Sequence, residues 1–358
     1  MPGRTAALTA PAAEKGEEGA IASGALAEPI GLLDGEAATA ALAAGLAHPF
    51  GENRAYALAR LHLPGQAPRV VPAGALPAGL RARLAAPVAG WAGLPRGRTL
   101  VMGILNCTPD SFSDGGDFLA VQDALARGRA MLEAGADLLD IGGESTRPGA
   151  AEVPVALEQA RILPVIRQLA ASGAVVSVDT RHAATMAAAL EAGARIVNDV
   201  SALRFDPQSA PLVRRLGCPV ILMHMRGTPA TMQSQTEYAD VALEVAASLA
   251  ARLDSLALAP GQAALDPGIG FAKGPGHNET LLARLALLRG LGCPVVLGAS
   301  RKGFIGQVTG VARAADRLAG SLAAALAAAA AGAEIVRVHD VAQTVQALRL
   351  RAAIAAAG

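Results

Sequence analysis

Four polar side chains end or follow apolar runs where a packed core would not choose them. They are Asp179 after VVSV, Asn198 after RIV, Asp266 after AAL and Lys302 shortly beyond PVVLG. Two carboxylates, an amide and an ammonium at the edges of buried segments must find hydrogen-bonding partners. A flat heterocycle with several ring N–H and amino donors would satisfy Asp179, Asn198 and Asp266, while Lys302 donates to a ring carbonyl or ring nitrogen. A structural ion pair between Asp266 and Lys302 is the plainer alternative. A second set is cationic: Arg147, Arg301, Lys302, Arg337 and His339. Arg337 and His339 stand two apart in an extended run and share a face. Such a set suits phosphate, and Asn106 nearby would suit a hard cation such as Mg2+ bridging phosphate oxygens.

These residues converge only if the elements that carry them repeat in a regular way. From about residue 98 short β-branched runs alternate with alanine-rich helical stretches. Strands are predicted at 99–105, 137–141, 175–179, 195–199, 219–224, 263–266, 294–298 and 335–338, and helices at 120–134, 155–171, 181–192, 239–257 and 277–290. The strands are continuously apolar, as in a parallel sheet covered on both faces. Eight such units predict an α/β fold, a (β/α)8 TIM barrel, over 98–358. An open doubly wound sheet is the other architecture, but no glycine fingerprint follows the first strand. In a barrel every strand end faces one rim, where polar residues read as a site. Asp199, Asp240 and Asp340 have the plainer alternative of capping the next helix.

The rest of the chain is less informative. Residues 1–27 read as a disordered tail and 28–97 as an N-terminal appendage, too small for a core of its own, with a helix from Asp34 and a strand and short helix in 68–87. Covering the bottom of the barrel and extending a dimer contact are its two candidate roles. A net charge of +1 implies no polyanionic partner such as nucleic acid. The apolar run 318–333 is shorter than the ~20 residues a membrane span requires and is expected to be a buried helix. The first thirty residues lack a basic start followed by an apolar block, so no export signal is expected. Cys107, Cys218 and Cys293 are far apart and suit reduced thiols in a cytoplasmic protein.

Eight blocks occur in order: MGILNCTPDSFSDGG, DIGGESTRPGA, VSVDT, NDVSAL, MHMRGTP, LDPGIGFAK, SRKGFIG and VHDV. Together they resemble the dihydropteroate synthase family of folate biosynthesis over about residues 98–355. Cys107 stands where that family commonly has valine, a small hydrophobe in either case. The resemblance implies a barrel that joins (7,8-dihydropterin-6-yl)methyl diphosphate to p-aminobenzoate with Mg2+ and releases diphosphate. It implies that Asp179, Asn198, Asp266 and Lys302 hold the pterin, with Met223, Phe271 and Gly298 lining the pocket. Thr146, Arg337 and His339 would contact the diphosphate region, Asn106 the metal, and Phe112, Pro148 and Ser300 the p-aminobenzoate. Asp110, Arg147, Asp179 and Lys302 would be catalytic, with Asp110 meeting Arg147 or a cationic intermediate. No nucleophilic Ser or Cys is required, so Cys107 is a poor catalytic candidate. The long loop after Asn106 is expected to act as a lid that orders when both substrates bind. The resemblance also suggests a homodimer. A pterin-dependent methyltransferase barrel and a pterin-binding paralogue without catalysis are the competing readings, to be separated by turnover with both substrates.

Overall fold

A computed structural model describes residues 24–86, 90–108, 116–145 and 152–357. Its centre is eight parallel strands: β7 (Leu100–Asn106), β8 (Leu138–Gly142), β9 (Val176–Asp179), β10 (Ile196–Asp199), β11 (Val220–Met223), β12 (Ala263–Asp266), β13 (Val296–Leu297) and β14 (Ile335–Val338). Each pairs with the next, β14 returns to β7, and a parallel bridge between Leu265 and Val295 joins β12 to β13. The result is a closed (β/α)8 barrel. Every predicted strand is present, with no end shifted by more than two residues.

The helices follow from apolar spacing. In α4 (Val155–Ala171), Ile162, Val165, Ile166 and Leu169 recur at i, i+3, i+4 and i+7 and are fully buried. In α7 (Val241–Leu256), Asp240 accepts hydrogen bonds from the Ala242 and Leu243 amides, the expected cap. Asp199 instead closes a turn through the Ser201 and Leu203 amides. Asp340 stands at the start of α12 (Val341–Ala356), but its carboxylate is paired with Arg301 and makes no cap bond. The run read as a buried helix is α11 (Leu318–Ala330). Among the described residues no helix is long and apolar enough to cross a membrane.

The N-terminal segment corrects the sequence reading in two ways. Residues 1–23 lie outside the described residues, but β1 (Leu26–Ile30) starts within the stretch read as tail. It pairs with β5 (Leu58–His62), which pairs with β6 (Arg69–Pro72); β2 (Leu33–Asp34), β4 (Arg54–Tyr56) and β3 (His48–Phe50) form a second antiparallel sheet. These sheets do enclose a core: Ala27, Phe50, Tyr56, Leu61, Leu76, Leu80 and Leu84, completed by Ala286 of the barrel. Two large aromatics, Phe50 and Tyr56, supply apolar area enough for even a short segment to bury a face of its own.

Several contacts tie this appendage to the barrel, among them the Arg351–Asp34 ion pair and the two that follow. Glu28 is buried on β1 and bonds Arg284 through both oxygens, at 2.9 and 2.8 Å, and His62 at 2.9 Å. Burial would raise its pKa, but hydrogen bonds from His62 and Arg284 and the Arg284 charge hold it at about 2. Trp91 enters the N-terminal mouth of the barrel, packs with Leu100, Met102, Leu138, Ile196 and Ile335, and donates Nε1–H to the Gln262 carbonyl at 3.0 Å. The segment therefore does cover the bottom of the barrel.

Candidate active site

The site follows from the two-residue period of the strands. Leu100, Met102, Leu138, Ile196, Ile221, Ala264, Val296 and Ile335 fill the barrel interior around Trp91. Their strand neighbours, such as Val101, Leu139, Val197, Leu222 and Val336, pack outward against the helices. Two residues further along each strand the interior face becomes a different surface: Asp140, Asn198, Met223, Asp266, Gly298 and Arg337. Asn106 and Asp179 fall on the same parity, and Asp179 lies beside Asn198 in register. A dry apolar layer thus carries a polar layer at the C-terminal rim, the end where barrels hold their sites.

The polar layer is a connected network. Arg337 donates Nε–H to Asp140 Oδ2 at 2.5 Å and Nη2–H to Asp179 Oδ2 at 2.7 Å. Asn198 donates Nδ2–H to the same Asp140 oxygen at 2.9 Å. Asp266 accepts from the Gly268 amide at 2.7 Å. Gly268 has φ +72, and a Cβ there would lie 1.9 Å from the His224 carbonyl, so only glycine makes this turn. Lys302 donates to the Ile269 carbonyl and lies 4.7 Å from the Phe271 ring centroid. Lys273, buried behind it, bonds the Phe271 carbonyl at 2.8 Å and His224 Nδ1 at 3.1 Å. Ser300 Oγ meets the His339 amide at 3.2 Å and its Nδ1 at 3.0 Å.

Burial controls the charges. Asp179 is pushed up to about 7 by burial and by the neighbouring Asp140 carboxylate, against the pull of Arg337. Asp266 is raised by burial, opposed by Lys302. Lys302 is lowered to about 8 and Lys273 to about 7, both chiefly by burial, with Asp266 opposing. His224 falls to about 3 through burial and the adjacent Lys273, so it stands neutral. Cys107 is pushed up to about 12 by burial, which leaves it a thiol. Two carboxylates raised and an ammonium lowered from their ordinary pKa values mark a binding surface suited to a polar, multiply hydrogen-bonding ligand.

The structure brings together Asp179, Asn198, Met223, Asp266, Phe271, Gly298, Lys302, Arg337, His339 and Ser300, with Asn106 at the end of β7. Arg337 lies against the Asp140 and Asp179 carboxylates, on the same layer as the residues expected to hold a heterocycle. Arg301 leaves the cationic set, because Asp340 takes its guanidinium. Lys302 bonds the Ile269 carbonyl, and no direct Asp266–Lys302 ion pair forms among the described residues. Asp110, Phe112, Thr146, Arg147 and Pro148 lie outside the described residues, as do residues 109–115 of the loop expected to act as a lid. Sequence reasoning missed Asp140 and Lys273. Asp140 is inside a strand rather than at its end, but its two-residue offset from Leu138 was the available signal. A cluster of three or more His, Cys, Asp or Glu side chains able to hold a metal is absent among the described residues. Asn106 offers one amide oxygen, which fits a largely hydrated Mg2+ that arrives with phosphate oxygens rather than a cation caged by protein.

A family model described as "Pterin binding enzyme" matches residues 102–339. Dihydropteroate synthase of Escherichia coli K12 is 46% identical over 254 residues, spanning 70% of this chain and 89% of that protein. The Synechocystis dihydropteroate synthase is 43% identical over 261 residues, 72% of this chain and 90% of that one. Among solved structures, Xanthomonas albilineans dihydropteroate synthase with 4-aminobenzoic acid is similar at 48% identity and a TM-score of 0.68, covering 72% of this chain and 93% of that chain. The same enzyme in complex with 7,8-dihydropteroate gives 45% and 0.65, covering 72% and 94%. The Yersinia pestis enzyme with a sulfonamide drug complex gives 43% and 0.68, covering 72% and 94%.

Proposed function

Because this chain belongs to the dihydropteroate synthase family of pterin-binding enzymes, we infer that its polar rim joins a dihydropterin methyl diphosphate to p-aminobenzoate, giving 7,8-dihydropteroate and diphosphate. The observation that carries this reading is the inward layer of Asp179, Asn198 and Asp266, with Lys302 beside it from the segment after β13. It is a set of acceptors and one donor matched to a pterin's amino and ring N–H groups and its ring carbonyl. Met223, Phe271 and Gly298 form the walls of that pocket.

The chemistry suits these groups. The C–O bond between the pterin methylene and diphosphate breaks, and its electron pair leaves with diphosphate. The resulting cation is spread into the electron-rich ring, where the Asp179 and Asp266 carboxylates stabilise it as fixed charges. The aryl amine then forms the C–N bond and loses a proton, so no protein nucleophile is needed. Arg337, His339 and Thr146 serve the diphosphate side, and Phe112, Pro148 and Ser300 border the p-aminobenzoate. Asp110 would meet Arg147 or the cationic intermediate. Asn106 would hold Mg2+, which when bound neutralises charge on the leaving diphosphate.

The working assembly in this reading is a cytoplasmic homodimer, consistent with unpaired Cys107, Cys218 and Cys293. Light scattering on the purified chain tests the dimer. The reaction is tested by coupled diphosphate release with Mg2+, with p-aminobenzoate omitted as the control. Release requiring both substrates is expected; none with both present would overturn the reading.

A further inference from the structure

Asp140 is a carboxylate of the inward layer to which the reaction above gives no task. Its residue exposure is 0%. One oxygen, Oδ2, accepts from both Arg337 Nε and Asn198 Nδ2, at 2.5 and 2.9 Å. The other, Oδ1, is buried without a hydrogen-bond partner. Asp140 thereby ties three strands, β8, β10 and β14, and Arg337 extends the chain of bonds to Asp179 on β9 at 2.7 Å. A carboxylate can only accept hydrogen bonds when ionised, whereas an amide can present either end. A buried acceptor beside Asn198 therefore dictates which end of that amide points at the substrate.

We propose that Asp140 is a positioning residue: it holds the Asn198 amide with Nδ2 turned inward and Oδ1 toward the pterin, and it fixes the Arg337 guanidinium against Asp179. The donor pattern that the pocket recognises is then set one layer below the ligand. Asn198 reads a donor on the pterin because its own donor is already taken. The inference rests on the pterin-condensing reading and adds the residue that orients its contacts. A packing role alone would not account for one oxygen accepting from two functional side chains while the other stays unpaired, since each buried polar atom left unpaired is unfavourable. The charge of Asp140 also contributes, after burial, to lifting Asp179 to about 7.

The test compares the parent enzyme with Asp140→Asn and with the exchange variant Asp140→Asn/Asn198→Asp. Steady-state diphosphate release is measured against both substrates across pH. In Asp140→Asn the amide at 198 is free to flip. KM for the pterin diphosphate is expected to rise tenfold or more, while KM for p-aminobenzoate stays within about threefold. The acid limb of kcat/KM should move to lower pH, because Asp179 loses a neighbouring negative charge. In the exchange variant, the amide now at 140 donates to the carboxylate at 198 and accepts from Arg337, so the pterin KM should recover at least partly. Asn198→Asp alone is a further readout should Asp140→Asn fail to fold. Its two facing carboxylates should weaken pterin binding at neutral pH and regain it on acidification, when one shared proton restores the donor. Unchanged pterin KM and pH profile in folded Asp140→Asn, equal effects on both substrates, or a pH-independent defect in Asn198→Asp would each overturn the proposal. Failure of the parent enzyme to release diphosphate would instead overturn the reaction reading, so the two failures are distinguishable.

Discussion

Replacing Lys302 by methionine should separate the catalytic value of its charge from its structural value. Burial lowers the ammonium's pKa from its ordinary 10.5 to about 8. That displacement corresponds to about 3 kcal/mol against holding the charged form inside the protein. Methionine keeps a flexible apolar stem beside Phe271 and removes that penalty. It also strips Asp266 of its principal cationic neighbour, leaving that carboxylate with the Gly268 amide. The two effects oppose each other, so stability should change by no more than about 2 kcal/mol. Activity has no such compensation. A charge-assisted hydrogen bond to the pterin is worth about 1.5–3 kcal/mol, equivalent to about a 10- to 150-fold loss of kcat/KM. The pH dependence gives a second handle. Between about 8 and 10.5 the unfolded chain holds a proton on this lysine that the folded chain has lost, so parent stability rises with pH through that window. Activity that needs the charged ammonium falls through the same window. Denaturant unfolding and diphosphate release, each followed from pH 6 to 10 (roughly one to two pKa spans about neutrality), should therefore diverge in the parent and lose that divergence in Lys302→Met. A variant with kcat/KM within threefold of the parent at pH 7, or with an unaltered alkaline limb, would refute the role assigned to this charge.

Three further outcomes are expected. Trp91→Ala should destabilise by about 3–5 kcal/mol in denaturant titration, yet leave kcat within about twofold, because the residue is at the end of the barrel opposite the rim. Glu28→Gln should lower stability by about 3 kcal/mol at pH 7. The parent's Glu28 contribution is present above the ordinary carboxylate pKa of 4.5 and is lost as pH falls toward about 2, so the parent's stability advantage over the variant, followed by circular dichroism, should be constant above about 4.5 and shrink as pH falls below it. Cys107→Val should keep full turnover, and a thiol alkylator at pH 8 should leave Cys107 unmodified by mass spectrometry, since burial holds it protonated.

The barrel could be read in the sequence because buried parallel strands leave uninterrupted apolar runs such as TLVMGIL and PVILM, a strong signal even without alternation. The appendage gave no such signal. LAEPI and HPF form strands despite Pro29 and Pro49, which read locally as breakers, and antiparallel pairing with distant partners overrides that preference. The polar strand ends pointed to Asp179, Asn198, Met223 and Asp266 because each is the last inward residue before the rim. Asp140 escaped the same argument since Ile141 and Gly142 follow it and hide it inside the strand. Arg337 was recognisable as a cation at the site, but which anions it meets depends on closure of the sheet between β14 and β7, a contact between opposite ends of the barrel sequence. Arg301 illustrates the converse: its charge was visible and its partner Asp340, thirty-nine positions later, was read only as a helix cap.

Trp91 has a consequence for the order in which the chain can mature during synthesis. Every strand of the appendage's sheets is present once residue 72 has been made, so their pairing can form early, although Ala286 must still arrive to complete their core. The tryptophan behind them is different: the inner layer that receives it runs from Leu100 to Ile335. Its indole must wait, exposed, until almost the whole polypeptide has emerged. Sealing the base of the barrel is thus coupled to arrival of the last strand. A nascent chain halted before β14 would carry paired appendage sheets and an open, unplugged cylinder, and its Trp91 fluorescence would report water instead of a dry interior until translation ended.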